Sequence, residues 1–236
     1  MSGVVYGLLW VLFKGLARLL FRFRTEGVQH FPDTGGVIVA ANHASYLDIP
    51  LLGCAIPRRV FFLGRDSLFP NRYVNWVIQK LGWIPLKTHR LDRKAFGLAL
   101  SHLQAGEPVV IFPEGTRTED GALGLGKPGL GYLVAESQCQ VIPAYISGTF
   151  KVLPVRARWP RPYPIRVTFG QPLNFYKDEG SSFKAFYEKV SVSVMDHIAQ
   201  LGGVSSPTKE SNKNFNNETY SSANKPRSNG SHNLTR

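Results

Sequence analysis

From Gly36 to about Gly170 the chain alternates short apolar runs with longer stretches of helical period, and this alternation confines it to an α/β fold with a largely parallel central sheet. The runs expected as strands are Val37–Ala41, Val60–Leu63, Trp83–Leu86, Pro108–Phe112, Val141–Ser147 and Ile165–Phe169. Helices are expected over Ile49–Ile56, Arg72–Leu81, Asp92–Gln104, Leu130–Glu136 and Ser182–Leu201. At 236 residues, 43% of them apolar, the chain has enough to bury for one compact domain, and its length does not call for a second.

The ends differ from this middle. Residues 1–24 mix apolar and aromatic side chains with Lys14, Arg18 and Arg22, which recur every four positions and so share one stripe of a helix. About a dozen uncharged residues precede Lys14, whereas a bilayer span takes roughly 20. The expectation is an amphipathic helix lying in the membrane surface; a helix packed on the protein's own core is the alternative. The charges follow the apolar run instead of preceding it, which argues against a cleaved signal peptide. Residues 25–202 are expected to form the catalytic domain. Residues 203–236, rich in Asn, Ser and Lys, have little to bury and are expected to be disordered.

The formal net charge of +12 favours polyanionic partners: nucleic acid, an anionic bilayer or phosphorylated substrates. The two cysteines, Cys54 and Cys139, make neither a disulfide framework nor a CxxC pair, so a reducing cytosolic setting fits and a cysteine metal site is not expected. His89, His102 and His197 lack partners at metal-ligand spacing.

Two segments carry chemistry. Asn42-His43-Ala44-Ser45-Tyr46-Leu47-Asp48 follows a strand-like run and precedes a helix-like one, where α/β proteins place reacting groups. A histidine there can take a proton from a hydroxyl near neutral pH, and a carboxylate on its other ring nitrogen would fix the tautomer. Asp48 is the candidate carboxylate, with a capping Asp beside an unrelated His as the plainer reading. Phe112-Pro113-Glu114-Gly115-Thr116-Arg117 stands at the end of another apolar strand and brings an acid, a hydroxyl and a guanidinium into one turn. Arg117 offers a fork that matches phosphate. A loop closed by an internal Glu114–Arg117 pair is the alternative.

Together these segments resemble the glycerolipid acyltransferase family, which contains the 1-acylglycerol-3-phosphate acyltransferases. The N-H-x4-D block is matched by Asn42–Asp48, the F-P-E-G-T-R block by Phe112–Arg117, and the proline-containing apolar block by Val141-Ile142-Pro143-Ala144-Tyr145. The resemblance covers roughly Thr25 to Gly170. It implies helices flanking the central sheet, His43 as general base and Asp48 as its orienting partner. Glu114 with Arg117 would hold the acceptor's phosphate, Gly115 and Thr116 would shape that loop, and Pro143 would help wall the acyl chain. It also implies a lysophospholipid acceptor such as 1-acylglycerol 3-phosphate, direct transfer from acyl-CoA or acyl-carrier protein, no cofactor and no metal. Anionic membrane lipids are the expected partners, at the cytoplasmic face. The second block departs from the family pattern: after Gly82-Trp83-Ile84-Pro85-Leu86 come Lys87-Thr88-His89-Arg90, and Arg90 is the cation favoured to replace the usual Arg, with Arg93 and Lys87 as the alternatives. Lys127, in Lys127-Pro128-Gly129 before a helix-like run, is a further candidate for the phosphate.

Other readings are weaker. Gly121 to Lys127 spells G-x4-G-K, but Pro128 stands where a nucleotide-binding loop needs Ser or Thr. No G-x-S-x-G elbow is present, which argues against a serine hydrolase. Recognition motifs of nucleic-acid binders are missing. The remaining competitors are an acyltransferase or transacylase acting on another lysolipid and a noncatalytic lipid-binding membrane module.

Overall fold

The computed structural model describes residues 3–66, 73, 76, 79–87 and 92–208. At its centre is β2 (Val37–Ala41), whose five residues are all fully buried. Such a strand reads as an unbroken apolar run because both of its faces are covered. Around it the sheet runs β1 (Arg24–Glu26), β7 (Arg166–Phe169), β6 (Gln140–Ser147), β2, β5 (Val109–Ile111), β3 (Phe61–Arg65) and β4 (Trp83–Leu86). Strands β6, β2, β5, β3 and β4 are mutually parallel, β7 runs antiparallel to β6, and β1 runs parallel to β7.

Parallel neighbours need crossovers, and helices supply them. α2 (Asp48–Ala55) links β2 to β3, α3 (Arg93–Gln104) links β4 to β5, and α4 (Gly129–Ser137) links β5 to β6. After β6 comes a single turn, α5 (Thr149–Val152), and after β7 the long α6 (Phe183–Gly202). Alternate residues of β2 feed two cores. Val37, Val39 and Ala41 pack with α2 and the N-terminal helix α1 (Gly3–Phe21), while Ile38 and Ala40 pack with α3, α4 and α6. Each large aliphatic side chain buried this way contributes roughly 1.5–3 kcal/mol.

Local chemistry sets the helix ends. Asp92 caps α3 by accepting the amide N–H groups of Lys94 and Ala95 at 3.1 and 3.2 Å, and Ser182 caps α6 by accepting that of Ala185 at 3.2 Å. The helix expected over Arg72–Leu81 falls largely outside the described residues, of which Tyr73, Trp76, Gln79 and Lys80 are helical. Only part of the expected tail, through Thr208, lies within them.

One side of α1 follows the alternative reading, a helix packed on the protein's own core. Trp10, Phe13 and Phe21 pack inward on the core beside buried Ala17. A Cβ on Gly53 of α2 would stand 2.4 Å from the Trp10 ring, so the two helices meet only because that position is glycine. The outer face carries leucines instead: Leu12, Leu16 and Leu19 are 71%, 49% and 79% exposed. Among the described residues no helix is long and apolar enough to cross a membrane.

Candidate active site

The C-terminal ends of β2 and β5 lie side by side, since Ala40 pairs with Ile111, and both motif loops start there. Asn42 fixes the first loop to β6: its side-chain amide donates to the Ile146 carbonyl at 3.1 Å and accepts the Ile146 N–H at 2.7 Å. The next residue, His43, has Nδ1 at 2.9 Å from Oδ2 of Asp48. That same oxygen accepts the amide N–H groups of Ala44 at 2.7 Å and Ser45 at 2.8 Å. Asp48 is fully buried in the first turn of α2, so one carboxylate shapes the turn and orients the imidazole. A carboxylate only accepts, which puts the ring proton on Nδ1 and leaves Nε2 with its lone pair. The ring also stacks on Phe112 of the second loop, with centroids 4.0 Å apart, which restricts its rotation.

Glu114 stands elsewhere than expected. It is buried, with Oε1 accepting the His43 amide N–H at 2.8 Å and Oε2 accepting that of Gly124 at 2.9 Å. It does not line the cavity beside His43, and it forms no pair with Arg117. With both oxygens committed to backbone amides, the carboxylate braces one loop against the other instead of facing a ligand. Burial raises its pKa from 4.5 to about 7, the two amide hydrogen bonds pulling the other way. The Thr118 amide adds a second brace, donating to the His43 carbonyl at 2.9 Å.

Beside His43 is a cavity of about 260 Å³, lined by Gly115, Thr116, Arg117 and Lys127 from the second loop. The Arg117 guanidinium lies 3.5 Å from the Tyr46 ring centroid, and its buried Nη1 has no hydrogen-bond partner among the described residues. Stacking holds the fork while leaving a donor free for an anion. Gly115 adopts φ +67°, and a Cβ there would approach the Lys127 ammonium to 2.8 Å, so glycine serves both the turn and the cation beside it.

Two further placements add to or revise the sequence expectations. Arg65, which sequence reasoning passed over, ends β3, lines the cavity and donates to the Gly115 carbonyl at 3.2 Å. Its signal was available as a cation closing an apolar strand. Pro143 is buried in the sheet interior, paired with Ala40, and does not line the cavity; the apolar lining comes from Leu63, Trp83, Leu86, Phe96, Phe112 and Leu130. Proline suits that place because it keeps the carbonyl that accepts the Gly170 N–H at 2.8 Å and needs no donor of its own. Arg90 lies outside the described residues.

Comparison with known proteins gives a family and a shared fold. The family model described as Acyltransferase matches residues 22–147. A chloroplastic 1-acyl-sn-glycerol-3-phosphate acyltransferase of Arabidopsis thaliana is 32% identical over 140 residues, 57% of this chain and 38% of the plant protein. A 1-acyl-sn-glycerol-3-phosphate acyltransferase of Bacillus subtilis is 27% identical over 122 residues, 51% of this chain and 60% of its own length. The crystal structure of the 1-acyl-sn-glycerophosphate acyltransferase PlsC from Thermotoga maritima shares the fold, with a TM-score of 0.62, 24% identity and 84% of each chain covered.

Proposed function

This chain belongs to the acyltransferase family, and from that premise we propose that it moves a fatty acyl group from a thioester to the free hydroxyl of 1-acylglycerol 3-phosphate, giving phosphatidic acid. The observation that carries the proposal is that His43, oriented by Asp48, and Arg117, with a free donor, line one cavity.

Nε2 of His43 takes the proton of the acceptor hydroxyl as its oxygen attacks the thioester carbonyl carbon. The tetrahedral intermediate collapses with cleavage of the C–S bond. His43 then returns the proton to the departing thiolate, so transfer is direct and no acyl-enzyme forms. Asp48 holds the ring and stabilises the imidazolium between the two proton transfers. Arg117, Arg65 and Lys127 bind the acceptor's phosphate, which sets the hydroxyl's distance from Nε2. Glu114 keeps His43 and the Gly115–Arg117 turn in fixed relation. The apolar lining takes an acyl chain.

A lipid acceptor calls for contact with a bilayer, and the exposed leucines of α1 beside Lys14 and Arg18 suit its cytoplasmic surface. The donor is acyl-CoA or acyl-carrier protein. The deciding experiment presents the purified protein with labelled acyl-CoA and acyl-carrier protein against a panel of lysolipids, with products identified by mass spectrometry. Label in phosphatidic acid is expected. Transfer to every lysolipid except the phosphorylated glycerol acceptor would overturn the proposed acceptor, and no transfer at all would overturn the activity.

A further inference from the structure

A second cavity, of about 910 Å³, lies against the three strands at one end of the sheet, β1, β7 and β6. Register places Arg24 of β1, Arg166 of β7 and Ser147 of β6 in one row, and Glu26, Thr168 and Tyr145 in the next. Paired residues of a sheet share a face, so these six make a polar floor, while Val167, Phe169 and Ile146 point into the core on the other side. The walls are the last residues of α6, the segment around α5, the Asp120–Gly121 turn, and Arg22 at the end of α1.

Cations outnumber acids around it. Arg22, Arg24, Lys151 and Arg166 face Glu26 and Asp120. Arg166 lies 3.3 Å from Glu26, and the Asp120 carboxylate is taken by the Thr118 hydroxyl at 2.7 Å and the Ala122 amide at 2.9 Å. Lys151 donates to the Tyr163 hydroxyl at 2.9 Å. The side chains of Arg22 and Arg24 have no partner among the described residues. Arg22 moreover holds φ 47°, a left-handed conformation that costs a non-glycine residue energy, so the chain places an arginine here against its backbone preference.

We propose that this cavity binds the phosphate headgroup of an anionic phospholipid that is not the substrate. Lipid is favoured over a soluble phosphate compound because Arg22 directly follows the last turns of α1, where Leu16, Leu19 and Leu20 are exposed. Chains lying along those leucines lead a headgroup to the arginines. Catalysis is not the role, since the cavity takes only Asn42 and Ala44 from the histidine loop and the His43 ring lines the other cavity. The proposal rests on the membrane contact of α1 proposed above, and does not depend on the acyl acceptor.

The test uses the full chain with phosphatidylcholine vesicles, with and without phosphatidylglycerol, and compares R22N/R24Q with K94Q/K184Q, which removes the same charge from the first turns of α3 and α6, outside the cavity lining. R22N/R24Q should lower affinity for the anionic vesicles about 30-fold, roughly fivefold per guanidinium. K94Q/K184Q should lower it less than about threefold, because screening confines surface charge effects to about a Debye length. Neither should change binding to neutral vesicles. Thr168→Glu puts an acid on the floor without touching the Arg22 turn and should lose the same binding, so a folding defect in the double variant leaves the test intact.

Titration calorimetry then distinguishes the sources. Dihexanoyl-phosphatidylglycerol should bind, and pyrophosphate should bind at least about tenfold more weakly; on the affinity scale that gap is about 1.4 kcal/mol. Equal binding of pyrophosphate would make the occupant a soluble phosphate compound. Equal losses in R22N/R24Q and K94Q/K184Q, or a neutral Thr168→Glu, would overturn the cavity altogether. Turnover of R22N/R24Q in detergent should equal wild type. Inactive wild type that still binds lipid would sink the proposed reaction alone, and normal turnover without lipid selectivity would sink this inference alone.

Discussion

Glu114→Gln separates the bracing role of Glu114 from a ligand-binding one through pH. The carboxyl titrates at about 7 in the folded protein, against an ordinary 4.5. A raised carboxyl pKa means that the folded state holds the proton more tightly than the unfolded chain. Stability from this group is therefore fully present below about pH 4.5 and declines as pH rises to about 7. At about 1.4 kcal/mol per pH unit, the full decline is roughly 3 kcal/mol, of which about 2.5 kcal/mol falls between pH 5 and pH 8. Glutamine is neutral throughout, so the variant should lack this decline. Its amide also meets a backbone donor with a donor of its own, a cost that is the same at both pH values. The measurement is urea unfolding of both proteins at pH 5 and pH 8 in one nonionic detergent. The wild-type loss between the two pH values should exceed the variant's by about 2.5 kcal/mol. Equal losses would refute the buried, amide-bound carboxylate.

Three other perturbations address the site and the surface. His43→Ala should lower kcat by about 10²-fold or more, and retention of more than about a tenth of the activity would remove it as the base. Arg117→Ala should lower kcat/KM for a phosphorylated acceptor by roughly 10–150-fold, the worth of a charged hydrogen bond, while sparing a neutral monoacylglycerol. Equal losses on both acceptors would deny it the phosphate. L12S/L16S/L19S should weaken partition into liposomes about tenfold or more without lowering the melting temperature in detergent. These substitutions are cleaner than deleting α1, which would strip Trp10 from Gly53 and open the core.

Strands covered on both faces were legible because their residues are apolar without interruption, as in β2. The bounds of β2 and β4 match the expected runs residue for residue. β1 was not legible: Arg-Thr-Glu is a charged edge strand of three residues that owes its order to pairing with β7. The orientation of α1 was hidden because it has two apolar faces, one aromatic and one leucine-rich, and only the fit of Trp10 on Gly53 decides which turns inward. The motif residues were legible as a set, but the direction of Glu114 was not. Its partners are the backbone N–H groups of His43 and Gly124, and a side chain's preference for a distant amide leaves no mark on residue types.

That direction matters for the charge of the site. A carboxylate facing a phosphate would oppose its binding, and at 4 Å, with an effective dielectric constant near 20, two unit charges repel by about 4 kcal/mol. Among the described residues, the lining of the catalytic cavity includes Arg65, Arg117 and Lys127 and no carboxylate, because Glu114 is turned back into the loops and Asp48 sits behind the imidazole. The two acids thus act through backbone amides and one ring nitrogen, holding the geometry while the cavity stays cationic. Adjacency of β2 and β5 brings the loops together, Glu114 and Thr118 tie them at His43, and Asn42 anchors the first loop to β6. Base and cation are therefore positioned by one hydrogen-bonded unit, so a substitution that loosens it should lower kcat and weaken phosphate recognition together, whereas His43→Ala and Arg117→Ala each remove one of the two.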